Sequence, residues 1–160
     1  MMNYRIGFGF DVHQLKEGLD FWVGGILLPH SKGGLGYSDA DVLIHSICDA
    51  LLGAANLGDI GQHFPDTDPK YKGIDSKILL QEVMCLVREN GYKLGNIDST
   101  ICLQRPKIGK HIPEMQKVLA NCMGVDKALV SIKATTTEKL SFVGREEGIS
   151  AYATVLIQSS

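Results

Sequence analysis

The sequence lacks closely spaced cysteine pairs, since its four cysteines stand far apart at positions 48, 85, 102 and 122. This spacing disfavours a zinc ribbon or a redox dithiol, because both need cysteines a few residues apart. The first five residues, Met1 to Arg5, also lack the apolar stretch of a secretory leader. We therefore expect a reduced, cytoplasmic protein.

Charge of one sign is also lacking, because 16 Lys and Arg residues nearly balance 18 Asp and Glu residues, for a net charge of −2. A nucleic-acid-binding domain normally carries a basic excess, so we expect no nucleic-acid partner. No apolar run reaches the roughly 20 residues that span a bilayer, so we expect no membrane partner.

Three common catalytic motifs are absent: the G-x-S-x-G elbow, the Walker A loop and the dinucleotide fingerprint. The sequence also shows no activated nucleophile. Any chemistry would then rest on metals and on the positioning of the substrate.

What is present is an ordinary globular composition, with 160 residues, of which 44% are hydrophobic and 21% charged. We expect a single domain over residues 1–160. Residue patterns predict strands at 4–12, 93–104, 129–135 and 149–158, a hairpin within 20–29, helices at 39–56, 75–90 and 111–123, and loops at 31–38 and 57–73. The order β-β-α-α-β-α-β-β predicts an α/β (α+β two-layer) fold, a mixed β-sheet covered on one face by three helices.

A metal site is suggested by Asp11 and His13, which stand two residues apart on the first predicted strand and so point the same way. On the first helix, His45 shares one stripe with Asp41 and Asp49, whose carboxylates could orient its imidazole. Two histidines and one carboxylate with an open fourth position are typical of catalytic zinc. The alternatives are a strand-end surface pair and a stripe that faces solvent.

Two further segments could bind phosphate. The Thr-rich stretch 133–139 follows a strand and ends near Glu138, which could bind a hard cation such as Mg²⁺. The loop 104–110 carries Lys107, and Arg145 follows in a glycine-flanked turn. A Thr-rich strand end and a solvated turn are the plainer interpretations.

Seven motifs in order resemble the 2-C-methyl-D-erythritol 2,4-cyclodiphosphate synthase family, and the resemblance runs from residue 5 to about 157. They are G-F-D-V-H at 9–13, S-D-A-D-V-L-I-H at 38–45, D-A-L-L-G-A-A-N-L-G-D-I-G at 49–61, F-P-D-T-D-P at 64–69, R-P-K at 105–107, H-I-P-E-M at 111–115 and A-T-T-T-E-K-L at 134–140.

The resemblance implies that 4-diphosphocytidyl-2-C-methyl-D-erythritol 2-phosphate is cyclised and CMP released, in non-mevalonate isoprenoid biosynthesis. It implies Zn²⁺ or another divalent cation at Asp11, His13 and His45, and Mg²⁺ or Mn²⁺ between Glu138 and the diphosphate. It implies a homotrimer with active sites between subunits and sheets around a central channel that could take an isoprenoid diphosphate. Phe10, Arg145 and Glu147 match channel positions.

The resemblance also implies which residues meet the substrate. Tyr37 and Thr136 are expected to be catalytic. The expected substrate-binding residues are Ser38, Asp59, Ile60, Gly61, Phe64, Pro65, Asp66, Thr67, Asp68, Leu103, Gln104, Arg105, Pro106, Lys107, Ile108, Gly109, Ala134, Thr135, Thr137, Phe142 and Arg145.

The sequence departs from the family pattern at Tyr37, where many members carry His. A tyrosine can donate a hydrogen bond but is not cationic near neutral pH, so an orienting role is expected in place of a charged one. Phe8, Ile108 and Ser141 replace a frequent His, Met and Gly. Two alternatives remain: a metal-dependent phosphohydrolase that uses water as nucleophile, and a non-catalytic trimeric ligand-binding module.

Overall fold

The computed structural model describes residues 3–160, and its strands form one five-stranded sheet and one hairpin. The strands are β1 (Tyr4–Glu17), β2 (Phe21–Val23), β3 (Ile26–Leu28), β4 (Lys32–Leu35), β5 (Tyr92–Cys102), β6 (Val130–Thr135) and β7 (Gly148–Ser159). The helices are α1 (Val42–Ala55), α2 (Ile60–His63), α3 (Ser76–Glu89), α4 (Ile112–Met123) and α5 (Ser141–Gly144). The fold is therefore mixed α/β, as predicted.

The sheet has the order β4-β1-β7-β5-β6, in which only the β5–β6 pair is parallel. Helix α1 packs over β1 and β7, while α3 contacts β5 and α4 contacts β6. The apolar core lies between these three helices and the sheet, with Ile47, Leu51 and Ile97 fully buried. The predicted hairpin is β2–β3, which turns at Gly24 and Gly25 with positive φ at both residues.

The contact between β1 and α1 is unusually close. In β1 the glycines face the helix, and a Cβ on Gly7 would lie 1.8 Å from the Ala50 carbonyl oxygen. A Cβ on Gly9 would lie 1.9 Å from the Ser46 carbonyl oxygen. The bulky side chains of Ile6, Phe8, Phe10 and Val12 instead face outward. Only glycine allows this backbone-to-backbone approach.

Several boundaries differ from the prediction. Strand β1 runs to Glu17, five residues beyond the predicted end, because the predicted loop 31–38 supplies β4, which pairs with it. The predicted loop 57–73 contains α2 and a 3₁₀ turn at Pro69–Tyr71. The one-turn helix α5 was not predicted, since four residues are too short to show a helical period.

The first helix starts later than predicted. It begins at Val42, three residues after the predicted start, and its N-cap is Asp41. The buried Asp41 carboxylate accepts hydrogen bonds from the backbone N–H groups of Ile44, at 3.0 Å, and of Gly24 and Gly25, at 2.9 and 2.7 Å. Burial raises the pKa of Asp41, although these backbone donors oppose the shift. Asp41 thus fastens the β2–β3 hairpin to α1.

No helix within residues 3–160 combines the length and the apolar character needed to cross a membrane.

Candidate metal centre and active site

The predicted ligands Asp11, His13 and His45 do meet. Asp11 and His13 extend from the helix-facing side of β1, and His45 extends from α1, whose other exposed or half-buried positions are Asp49 and Gly53. Asp11 Oδ2 lies 2.9 Å from His13 Nε2 and 3.0 Å from His45 Nδ1, and the two nitrogens lie 3.1 Å apart. This is the one cluster of three or more potential metal ligands among residues 3–160.

The donor set fits a small divalent cation. Ligand atoms about 2.0–2.2 Å from a tetrahedral zinc ion lie about 3.3–3.5 Å from one another, close to the separations seen here. The side chains of His13 and His45 are 15% and 13% exposed and that of Asp11 is 26% exposed, so the cluster is sheltered but open on one side. An open side leaves room for a fourth ligand from a substrate.

In each imidazole, the nitrogen that does not face the cluster makes a hydrogen bond that orients the ring. His13 Nδ1 lies 3.2 Å from the Leu35 carbonyl oxygen, which can only accept, so Nδ1 carries the proton. His45 Nε2 lies 2.8 Å from Ser76 Oγ and 3.1 Å from Ser38 Oγ. The prediction that Asp41 and Asp49 orient His45 is wrong, because Asp41 turns toward the hairpin and Asp49 accepts the Ile60 N–H at 2.8 Å.

Asp11 and His13 shift each other's pKa in opposite directions. Burial disfavours ionised Asp11, but hydrogen bonds and charge from His13 and His45 outweigh it and hold the pKa of Asp11 well below its usual range. Burial likewise disfavours a charged His13, yet the hydrogen bond and charge of Asp11 raise the pKa of His13. A bound cation would take the place of the proton that charges His13.

A cavity of about 160 Å³ opens beside the cluster. Its wall is mostly apolar, with polar groups at the metal end. The lining residues are His13, Tyr37, Ser38, His45, Ile60, Gly61, Phe64, Asp66, Tyr71, Ile74 and Leu79. Six predicted substrate-binding or catalytic residues therefore line this cavity. Tyr71, Ile74 and Leu79 also line it, although the sequence did not predict them.

The remaining predicted residues of this region shape the loop around the cavity. Asp59 caps α2 by accepting the Gln62 N–H at 3.0 Å, and Gln62 hydrogen bonds lower the pKa of Asp59. Asp68 caps the following 3₁₀ turn, while Pro65 and Thr67 lie between them.

Tyr37 joins this loop to the cavity wall. Its phenol donates a hydrogen bond to the Asp68 carbonyl oxygen at 3.1 Å, and its own carbonyl oxygen accepts the Gly73 N–H at 2.8 Å. Tyr37 therefore fastens both ends of the segment 68–73 beside the metal ligands.

A second cavity, of about 530 Å³, lies between the β5–α4 loop and the end of β6. It brings together the loop 104–110 and the Thr-rich stretch 133–139, which are far apart in the sequence. The lining residues are Leu103, Pro106, Lys107, Ile108, Gly109, Lys110, Ile112, Ala134, Thr135 and Thr136. Lys110 and Ile112 were not among the expected substrate-binding residues.

Gln104 and Arg105 lie in the same loop but point elsewhere. Gln104 Oε1 accepts the Lys139 N–H at 3.2 Å, and Arg105 Nε lies 3.6 Å from Glu146 Oε1.

The remaining predicted residues surround α5. Glu138 Oε1 accepts the Thr136 hydroxyl at 3.2 Å, and Thr137 Oγ1 donates to the Leu140 carbonyl oxygen at 2.7 Å. Arg145 pairs with Glu147 through two hydrogen bonds of 2.9 and 3.1 Å, which raise the pKa of Arg145. Phe142 is partly exposed nearby. Glu138 stands apart from the Asp11 cluster within one chain.

The two cavities share no lining residue, so one chain presents a metal-side pocket and a separate lysine-bearing pocket.

Comparisons with known proteins identify the family of this chain. Residues 4–158 match the YgbB family. The 2-C-methyl-D-erythritol 2,4-cyclodiphosphate synthase of Bacteroides fragilis is 67% identical over 156 residues, which cover 98% of each chain. The CDP complex of IspF from Plasmodium falciparum is 31% identical, with a TM-score of 0.87 and coverage of 99% of this chain and 97% of that one.

The bifunctional IspDF of Campylobacter jejuni is 41% identical, with a TM-score of 0.96. The match covers all of this chain and 43% of the bifunctional one. A family match over nearly the whole sequence and relatives of this identity leave one assignment: the chain is a member of the YgbB family.

Proposed function

We propose that this chain is one cyclodiphosphate synthase domain, a phosphorus-oxygen lyase of isoprenoid biosynthesis. It converts 4-diphosphocytidyl-2-C-methyl-D-erythritol 2-phosphate to 2-C-methyl-D-erythritol 2,4-cyclodiphosphate and CMP. The observation that carries the proposal is the convergence of Asp11, His13 and His45 beside an apolar pocket. The 67% identical relative that bears the synthase name supports the choice of substrate.

The reaction needs no nucleophile from the protein. An oxygen of the 2-phosphate attacks the β-phosphorus of the diphosphate, and the bond between that phosphorus and the CMP oxygen breaks. Because the attacking oxygen and the β-phosphorus belong to the same molecule, the product is cyclic and no water is consumed. Holding the two phosphates in contact can supply several kcal/mol, up to about 7–11 in ideal intramolecular reactions.

The metal-side pocket would hold the methylerythritol. Apolar side chains from Ile60, Phe64 and Leu79 exclude water from its wall, while Ser38 and Asp66 offer hydrogen-bonding groups. A divalent cation held by Asp11, His13 and His45 would neutralise charge on the phosphoryl oxygens. Tyr37 would orient the surrounding loop through its bond to the Asp68 carbonyl.

The second pocket would receive the cytidine and its phosphates. Lys107 supplies a cation, and Thr135 and Thr136 supply hydroxyl groups at its rim. Glu138 would hold Mg²⁺ or Mn²⁺, whose charge would offset that of the diphosphate, because carboxylate and phosphate oxygens suit those ions. The CDP complex of the Plasmodium falciparum relative supports a cytidine ligand.

A homotrimer would complete the active site. The outer face of the sheet exposes apolar side chains along β1 and β7, with Ile6 at 72% and Phe8 at 64% exposed. On the same face, the ring centroids of Phe10 and Tyr152 lie 5.1 Å apart. Exposed apolar surface of this kind calls for a partner. Three copies around a central channel would cover it and join the metal side of one subunit to the lysine side of the next. The channel, near Phe10, Arg145 and Glu147, would be the site for an isoprenoid diphosphate.

The deciding experiment mixes the protein with the diphosphocytidyl substrate and follows CMP and phosphorus products by ³¹P NMR, with and without a chelator. A cyclic diphosphate that forms only with metal supports the proposal. Inorganic phosphate or a linear diphosphate would point to a phosphohydrolase, and binding without CMP release would point to a ligand-binding module.

Variants separate the two metal roles. Asp11→Ala and His45→Ala should abolish CMP release and lower bound zinc, whereas His30→Ala, which removes an imidazole packed on Phe21, should do neither. Glu138→Gln should reduce turnover more than zinc content. Turnover retained after zinc loss would refute the role of the Asp11 cluster, and equal zinc loss in Glu138→Gln would merge the two metal sites.

A further inference from the structure

A partly buried hydrogen-bond chain runs from His45 to a carboxylate outside the ligand cluster. His45 Nε2 lies 2.8 Å from Ser76 Oγ, and the Ser76 hydroxyl in turn donates a hydrogen bond to Asp39 Oδ1. Asp39 Oδ2 accepts the Ser76 N–H at 2.9 Å, so both oxygens of this carboxylate are engaged by one residue. Ser76 is fully buried.

The direction of each proton in this chain is fixed. An ionised carboxylate can only accept, so the single hydroxyl proton of Ser76 goes to Asp39. Ser76 Oγ can then only accept a hydrogen bond from His45, so His45 Nε2 carries a proton and donates it to Ser76 Oγ. A metal held at Nδ1, the atom 3.0 Å from Asp11 Oδ2, would leave the one proton of the imidazole on Nε2, where Ser76 accepts it.

We propose that Asp39 and Ser76 are positioning residues that hold His45 in the tautomer and orientation that bind the metal. The inference rests on the proposed metal site and deepens it. His13 is oriented by the Leu35 backbone carbonyl, which no side-chain substitution removes. His45 depends on side chains, so its orientation can be changed without touching a metal ligand.

The alternative is that the chain only anchors the start of α3. Asp39 N–H donates to the Ile74 carbonyl oxygen at 3.1 Å, so Asp39 also links the segment before α1 to the segment before α3. A purely structural link would change stability but leave the affinity for metal and the solvent exchange of the His45 Nε2–H unchanged. The test therefore measures those two quantities.

The test variant is Ser76→Ala, which removes the hydroxyl and keeps the backbone bond to Asp39. Loss of such an outer hydrogen bond to a metal-bound histidine typically lowers metal affinity by about 10–100-fold. We expect a loss in that range for Zn²⁺, measured on metal-stripped full-length protein by competition with a chromophoric chelator, with no substrate present. We also expect ¹⁵N–¹H NMR of the zinc-loaded variant to show the His45 Nε2–H exchanging with solvent faster than in wild type, because its nearer acceptor has been removed.

The matched control is Ser99→Ala, which removes another buried serine hydroxyl, one bonded to the Ser131 carbonyl oxygen at 2.9 Å and remote from the ligands. Its zinc affinity should equal that of wild type. Asp39→Asn keeps the size of the carboxylate and removes its charge, so its affinity should fall severalfold, and it provides a second test if Ser76→Ala fails to fold.

The outcomes separate the inference from the function on which it rests. If wild type binds no Zn²⁺, the proposed metal site is wrong and the positioning role is lost with it. If wild type binds Zn²⁺ and both Ser76→Ala and Asp39→Asn bind it equally well, the positioning role alone is overturned. Weaker zinc binding with unchanged solvent exchange of the His45 Nε2–H would likewise overturn it in favour of a structural anchor.

Discussion

Asp11 favours a proton on His13 when no metal is bound, and this gives a pH dependence of known sign. The pKa of His13 is raised, so its contribution to stability is fully present below about pH 6.5 and is lost as the pH rises through the folded pKa. In stripped protein, this contribution should make the free energy of unfolding larger at about pH 6 than at about pH 8.

Added zinc should reverse the sign, because the metal competes with protons for the same atoms and therefore stabilises more at high pH. Urea denaturation at both pH values, with and without Zn²⁺, measures both effects. Asp11→Asn removes the carboxylate that raises the pKa of His13, so the pH slope of the stripped variant should be smaller than that of wild type. An equal slope would contradict the assignment to His13.

Tyr37 acts here through the loop that it fastens. Tyr37→Phe removes one neutral hydrogen bond to the Asp68 carbonyl, worth about 1 kcal/mol. We expect kcat/KM to fall severalfold, with unchanged zinc content. Tyr92→Phe, which keeps the ring beneath Arg5, serves as the control. Turnover equal to wild type across pH would show that the phenol has no part in catalysis.

Residue-level prediction from sequence succeeded where a local period decides the direction of a side chain. The two-residue period of β1 placed Asp11 beside His13, and the chemistry of a set of two histidines and one carboxylate indicated His45 as the third ligand. It failed for Asp41 and Ser76. Asp41 turns inward because the distant glycine turn of the hairpin offers backbone donors, and Ser76 reaches His45 because α3 packs against α1. Neither contact leaves a mark in the local sequence.

At the level of elements, the contact between β1 and α1 sets the distance between the metal ligands. Gly9→Ala would place a methyl group against the Ser46 carbonyl oxygen, which the backbone can relieve only by moving α1 away. We expect a loss of about 3 kcal/mol in the free energy of unfolding, together with reduced zinc content.

Gly53→Ala on the outer side of α1 is the matched control. A Cβ there has no atom within 4 Å, so the change should be neutral or stabilising by about 0.5–1 kcal/mol. Urea denaturation and metal analysis of both variants test the pair. Equal stability of the two variants would mean that moving β1 and α1 apart costs no free energy of folding.

The sequence predicted the major elements because they carry clear periods and caps, such as Asp75 before α3. It missed α2, α5 and β4 for a physical reason. Strand β4 is four residues long and glycine-rich, and it is a strand only because β1 extends to Glu17 and pairs with it. The alternation in β1 also gave no sign of which face is inward, since the small residues, not the bulky ones, face the core.

For the whole molecule, the separation of the two pockets predicts complementation between inactive variants. His45→Ala would disable the metal side of every site to which it contributes, and Lys107→Ala would weaken the lysine side. If sites form between subunits, mixed trimers contain some sites with both sides intact. Random mixing in equal amounts gives about a quarter of all sites intact.

The experiment co-refolds the two variants and measures CMP release. We expect activity near that fraction of wild type, well above either variant alone. Each variant mixed with itself is the control. Mixtures no more active than their components would place both sides of the site within one subunit and contradict the shared site.

The two glycines of β1 have a consequence beyond stability. Neither has a side chain, and neither lies on a cavity wall, yet the spacing of Asp11 and His13 from His45 depends on both. In a library of random variants selected only for turnover, nearly every replacement at Gly7 and Gly9 should be rejected, as at the ligands themselves. A map of mutational tolerance would then outline an active site that includes two positions contributing nothing but the absence of atoms.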